Sequence, residues 1–152
     1  MAVNIELLKK LRNETAAGIA DCRKALEETD NNYEKAKEWL KKRGLEKAEK
    51  KGDREVSQGL VESYVHQTGR VAALVEILCE TDFVARTDDF KKLAKEVAMQ
   101  VASMNPKDVA TLLKQDYIRD NSVTIDQLIK ATIGKLGENI IVKKISRLAI
   151  GE

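Results

Sequence analysis

Histidine is nearly absent from this chain of 152 residues: His66 is the only one. It falls in a strand-like run and has no sequence partner for holding a metal or moving a proton, so it reads as a partly exposed strand residue. Cysteine is almost as scarce. Cys22 and Cys79 lie far apart, without the close spacing of a metal site. Each belongs to an apolar-periodic segment, which reads as a buried, reduced thiol. Aromatic residues make up 4% of the chain, so the core must be mainly aliphatic. No apolar run approaches the roughly 20 residues that cross a bilayer. The first residues lack the basic start and unbroken apolar stretch of a secretory signal. The expectation is a cytoplasmic protein with no membrane partner. Net charge is +2, too balanced to argue by itself for nucleic acid or a membrane surface. There is no Gly-rich phosphate loop and no G-x-S-x-G elbow. Together these absences shift the weight from an enzyme to a binding protein, with no cofactor and no metal expected.

What is present is ordinary for a globular chain: 43% hydrophobic and 34% charged residues, enough for a small unit joined to a larger one. The first part reads as three short helices. Asn4 is a candidate N-cap, with Val3 and Leu8 placed as a hydrophobic staple. Ile5, Leu8 and Leu11 share one face. Thr15 to Gly18 breaks the helix, and Ile19, Cys22, Ala25 and Leu26 give the stripe of a second. Asn31 and Glu34 form a capping pair for a third, whose inner face is Tyr33, Ala36, Trp39 and Leu40. Gly44 reads as its stop. Residues 1–44 then form one unit, and 45–56 a charged linker. The basic residues from Lys41 to Arg54 are interleaved with acids, so this stretch reads as a solvated, partly helical linker or as a neck for RNA.

From residue 57 to 152 the period changes. Leu60 to His66 and Val71 to Cys79 make a hairpin turning at Thr68–Gly69, its second strand central or covered on both sides. Thr87 or Asp88 caps a helix with Phe90, Leu93, Ala94, Val97, Ala98 and Val101 inward, closed by Pro106. Thr124 and Gln127 form a capping box for a helix with Ile125, Leu128, Ile129, Ile133 and Leu136 buried and Gly137 at its end. A last strand covers Ile140 to Ile150, with a bulge expected at Lys143–Lys144. The fold class is α+β: a three-helix domain plus a small antiparallel sheet covered by helices.

Between strand and helix stands Glu80-Thr81-Asp82-Phe83-Val84-Ala85-Arg86. An acid and a large ring side by side at a loop are placed for function. Phe83 is either an exposed wedge seeking a pocket or the first core residue after the loop. The neighbouring acids Asp88 and Asp89 are accounted for by a helix start.

Three segments resemble one family. Leu11 to Leu26, LRNETAAGIADCRKAL, is similar to the N-terminal signature of translation elongation factor Ts, L-R-x-x-T-G-A-G-x-x-D-C-K-x-A-L. The stretch Glu80 to Arg86 resembles its T-D-F-V-A signature, and Lys135 to Ile140, KLGENI, its K-x-G-E-N-I segment. The order also matches. The resemblance implies a guanine-nucleotide exchange factor for elongation factor Tu that binds no nucleotide directly. It implies a ubiquitin-associated-like three-helix domain docking on the partner through Arg12, Ile19 and Ala20. It further implies that Thr81, Asp82, Phe83 and Val84 intrude near the partner's nucleotide and magnesium.

This chain departs from the pattern in three places. Ala16 replaces a usual Gly and is strained if its φ is positive. Ala20 replaces a larger apolar residue. Only a short connection separates Pro106 from Thr124, where longer relatives place a helical hairpin or a second core subdomain. A chain with a single core subdomain could pair with a second copy through its sheet as a homodimer, or stay a monomer. Two rival classes are an RNA- or helix-binding module without exchange activity and an enzyme using Asp82, Asp88 and Asp89.

Overall fold

The computed structural model describes residues 2–152. Three helices open it. The Asn4 side chain accepts from the Glu6 and Leu7 N–H groups and starts α1 (Ile5–Thr15), satisfying donors that a helix start leaves unpaired. α2 (Ile19–Glu28) follows the Ala16–Gly18 turn, and α3 (Tyr33–Lys51) begins at Asn32, whose side chain accepts from Lys35 N–H. The cap thus falls one residue beyond the expected Asn31. Asn31 has φ +60° and ties down the N-terminal segment instead, accepting from Asn4 N–H and donating to the Ala2 carbonyl. Leu8, Leu11, Cys22, Ala25, Leu26, Ala36 and Leu40 close a small core, edged by Val3, Tyr33 and Trp39. Two expected members are exposed, Ile5 and Ile19. Ile5 lies about 120° round the helix from Leu11, and Ile19 opens α2 where nothing covers it.

The body follows. β1 (Gln58–Val65) and β2 (Val71–Cys79) form the hairpin. Then come α4 (Asp82–Ala85), α5 (Asp88–Met104), α6 (Val109–Lys114), a small hairpin of β3 (Asp116–Tyr117) and β4 (Asp120–Thr124), α7 (Ile125–Leu136) and β5 (Ile141–Ala149). The main sheet runs β1-β2-β5, antiparallel throughout. Its register shifts where Glu76 pairs Lys144 and Ile77 pairs Val142, so Lys143 is the extra residue of the expected bulge. α5 covers one face, packing Phe90, Leu93, Ala94, Val97, Ala98 and Val101 with Ala73, Val75, Ile77 and Cys79. Thr124 and Gln127 complete both bonds of the capping box on α7. The fold is α+β, with seven helices and a small antiparallel sheet among the described residues. None of these helices is long and apolar enough to cross a membrane.

The structure corrects the sequence reading in two places. The helix does not stop at Gly44. Glycine in a helix costs about 1 kcal/mol relative to alanine, which disfavours the helix without forbidding it. Here α3 crosses α7, and a Cβ built on Gly134 would lie 3.4 Å from the Gly44 Cα and carbonyl oxygen, whereas one built on Gly44 would meet nothing within 4 Å; it is Gly134 that lets the backbones meet, and the packing on α7 carries α3 past Gly44. Ala48 is buried in the main core, so the charged stretch is helix as far as Lys51 and only its end is an irregular connection. The second correction concerns the Pro106–Thr124 connection, which holds α6 and the β3–β4 hairpin. Asp108 caps α6 through Thr111 N–H at 2.7 Å. The buried Gln100 side chain holds the hairpin, donating to the Asp116 carbonyl and accepting from Ile118 N–H. β2 is central, the first of the two expected alternatives, and it is covered by helix on one face. Val61, Val65, Leu74 and Leu148 lie open on the other, Leu148 being 80% exposed.

Candidate partner-docking site

α4 is the site's tip. Four residues are too few to hold a helical turn on their own, so its ends need anchors. At the C-terminal side Val84 and Ala85 are buried in the main core. At the N-terminal side the Thr81 hydroxyl accepts from Val84 N–H at 3.3 Å. The same hydroxyl donates to Glu138 Oε2 at 2.7 Å. Glu138 Oε1 accepts from Thr81 N–H at 2.9 Å and Glu80 N–H at 3.2 Å. The Cys79 thiol donates to the Thr81 carbonyl at 3.1 Å. Burial pushes that thiol's pKa up, and the Glu138 carboxylate adds to the shift, so it stays a donor.

With both ends fixed, the middle points out. Phe83 is 77% exposed, which removes the alternative that it is the first core residue. Asp82 is exposed beside it and ion-paired to Arg86 one turn on. The expected loop is therefore a capped helical turn, because Thr81 supplies the cap and Arg86 the i,i+4 partner. Of the four residues expected to intrude, Thr81, Asp82 and Phe83 are exposed, whereas the Val84 side chain is buried.

Arg12, Ile19 and Ala20 are all exposed on the three-helix unit, whose hydrophobic cluster is separate from the one that anchors α4. Ile19 and Ala20 line a shallow depression with Arg23 and Lys24. Between Arg12 and Ile19, Ala16 has φ +55° and closes α1 by donating its N–H to the Arg12 carbonyl at 2.9 Å. Alanine thus stands in the left-handed region where the pattern has glycine. A cleft of about 640 Å³ lies behind this turn, between α3 and α7. Cys22 and Cys79 are both buried and free, and no cluster of three or more metal-ligating side chains occurs among the described residues.

Sequence reasoning placed Glu80, Glu138 and Asn139 inside matched segments but gave them no role. The signal was Glu138-Asn139 directly after the Gly137 helix stop, two polar residues at a point where the chain turns back into the core.

Two family models match the chain: "Elongation factor TS" over residues 80–152, and "Elongation factor Ts, mitochondrial, N-terminal" over residues 1–52. Elongation factor Ts of Coprothermobacter proteolyticus is 42% identical over an alignment of 197 residues covering all of both chains. The chain belongs to the elongation factor Ts family. Elongation factor Ts of Nostoc sp. is 45% identical over 97% of this chain and 47% of its own length, and that of Nitratidesulfovibrio vulgaris 37% identical over 99% and 98%. The alignment with the Coprothermobacter elongation factor Ts is longer than the 152 residues here, so that relative carries residues with no counterpart in this chain.

Proposed function

We propose that this chain promotes GDP release from elongation factor Tu during translation elongation. The observation that carries the reading is Phe83, a large apolar ring held out in solvent by a turn anchored at both ends. An apolar side chain presented this way gains most by entering a pocket on a partner. Asp82 beside it brings a negative charge toward whatever holds the partner's phosphates and magnesium.

The mechanism is linkage. A protein that binds nucleotide-free elongation factor Tu better than its GDP form weakens GDP by the same coupling free energy. No bond of the nucleotide is made or broken, so the chain acts as an exchange factor with no nucleotide, cofactor or metal of its own. Docking is shared. Residues 1–44 present Arg12, Ile19 and Ala20; residues 45–56 connect, in helical form to Lys51; residues 57–152 carry the Thr81–Val84 tip, in which Val84 serves as the buried root. The cytoplasm, where translation takes place, is the compartment this role requires.

The open sheet face supports a homodimer. On this face Val65 and Leu148 flank Ala72, and Val61 stands opposite Glu76, whose other neighbour is Lys144, so an acid and a base lie at one end of an apolar patch that includes Leu74. Such a patch is self-complementary under a two-fold axis.

The experiment is release of a fluorescent GDP analogue from elongation factor Tu. Catalytic amounts of this chain should accelerate it; unchanged kinetics at saturating folded protein would rule the exchange reading out.

A further inference from the structure

Three junctions of the chain meet at one polar knot. The first is the connection after α3, the second the passage from β2 into α4, and the third the passage from α7 into β5. Asn139 is 2% exposed and bonds to two of them. Its side-chain amide donates to the Arg54 carbonyl at 2.8 Å and the Gly52 carbonyl at 3.3 Å, and its N–H donates to Glu80 Oε2 at 2.7 Å. Glu138 returns the grip by accepting from Glu80 and Thr81. The Glu138 carboxylate thus holds the backbone at Glu80 and Thr81, and the Glu80 carboxylate holds the backbone at Asn139. Neighbouring carboxylates repel, and the cost is offset by these donors and by Arg54, whose Nη1 lies 3.8 Å from Glu80.

We infer that Glu80, Glu138 and Asn139 form a positioning clasp, which fixes the direction of Phe83 and ties it to the three-helix unit; the inference rests on the exchange reading above. α4 has two anchors. Val84 and Ala85 root its far end in the core, and Glu138 holds its near end. Without Glu138 the near end keeps only the Cys79 thiol's bond to the Thr81 carbonyl, and the turn can swing about its buried root. The Asn139 bonds reach residues 52 and 54, immediately after the helix that belongs to the docking unit. One residue therefore links both surfaces that face the partner. A grip at two points gains its strength from a fixed separation between them.

The test uses the full chain with Glu138→Ala, Glu138→Gln and Asn139→Ala. Each is measured by thermal melting, by amide hydrogen exchange over residues 80–86, and by GDP release from elongation factor Tu as a function of factor concentration. Glu138→Ala should lower the maximal release rate on the order of tenfold, within the span of ordinary coupling energies, with the half-saturating concentration nearly unchanged. The α4 amides should exchange faster. Glu138→Gln, which is nearly isosteric and keeps one acceptor oxygen, should recover part of the rate. Asn139→Ala should chiefly raise the half-saturating concentration. In a Phe83→Ala background the Glu138→Ala change should have no further effect on release, because it acts through that ring.

An equal maximal rate per folded molecule in Glu138→Ala overturns the clasp. So does a loss of the same size with Phe83 already removed. A wild-type chain that leaves GDP release unchanged sinks the exchange reading and takes the clasp's role with it. Wild-type acceleration with an unaffected Glu138→Ala sinks the clasp alone.

Discussion

A single ring separates the two roles an apolar residue can have. Phe83 lies largely in solvent, so Phe83→Ala should leave stability within about 0.5 kcal/mol, the ordinary range for surface changes, while exchange falls strongly. Calorimetry and GDP release on the same sample check it; a large drop in melting temperature with exchange intact would return Phe83 to the core. Asp82→Ala should cost less exchange, since an exposed acid acts only through screened electrostatics and is already paired with Arg86. Ala16 offers the opposite kind of change. Its φ of +55° is one that alanine adopts at a cost. Ala16→Gly should raise stability by about 1 kcal/mol, measured by denaturant midpoint, and a destabilised variant would mean that the turn is not strained. The strain was legible from a motif position alone. The exposure of Phe83 was not, because it depends on whether distant Glu138 and buried Val84 hold the turn from both sides.

At the scale of elements, periodicity carried most of the fold. The inner face of α5, the capping box of α7 and the bulge in β5 each follow from a local pattern. What failed was non-local. Gly44 reads as a stop in isolation, and only the crossing with Gly134 shows why it sits inside a helix. α6 and the β3–β4 hairpin are short, and Gln100 on α5 holds the hairpin in place, a partner that no window of sequence around it contains. Two glycines then make opposite predictions. A Cβ on Gly44 would meet nothing within 4 Å, so Gly44→Ala should stabilise α3 by up to about 1 kcal/mol. A Cβ on Gly59 would fall 2.0 Å from the Ile77 carbonyl oxygen, at φ +152°, so Gly59→Ala should break the start of the hairpin. Melting curves of the pair decide both; equal shifts would contradict the strand pairing at Gly59 or the open side of α3 at Gly44.

For the whole molecule, the uncovered sheet face sets the question of assembly. Leu148→Glu puts a charge at its most exposed apolar position and should shift a dimer to monomer in sedimentation without lowering the melting temperature of the monomer. A wild-type chain that sediments as a monomer at high concentration would end the homodimer proposal. The last consequence belongs to α3. Lys41, Lys42, Arg43, Lys47, Lys50 and Lys51 offer trypsin a dense set of bonds, but a protease needs extended chain, and these lie in a helix whose second half is docked on α7. Digestion should pass them over, and a cut after Arg54, in the irregular stretch before β1, should come only as the Asn139 bond to its carbonyl opens. The two pieces should then stay together on a gel-filtration column, because the cut leaves the Gly44–Gly134 crossing whole.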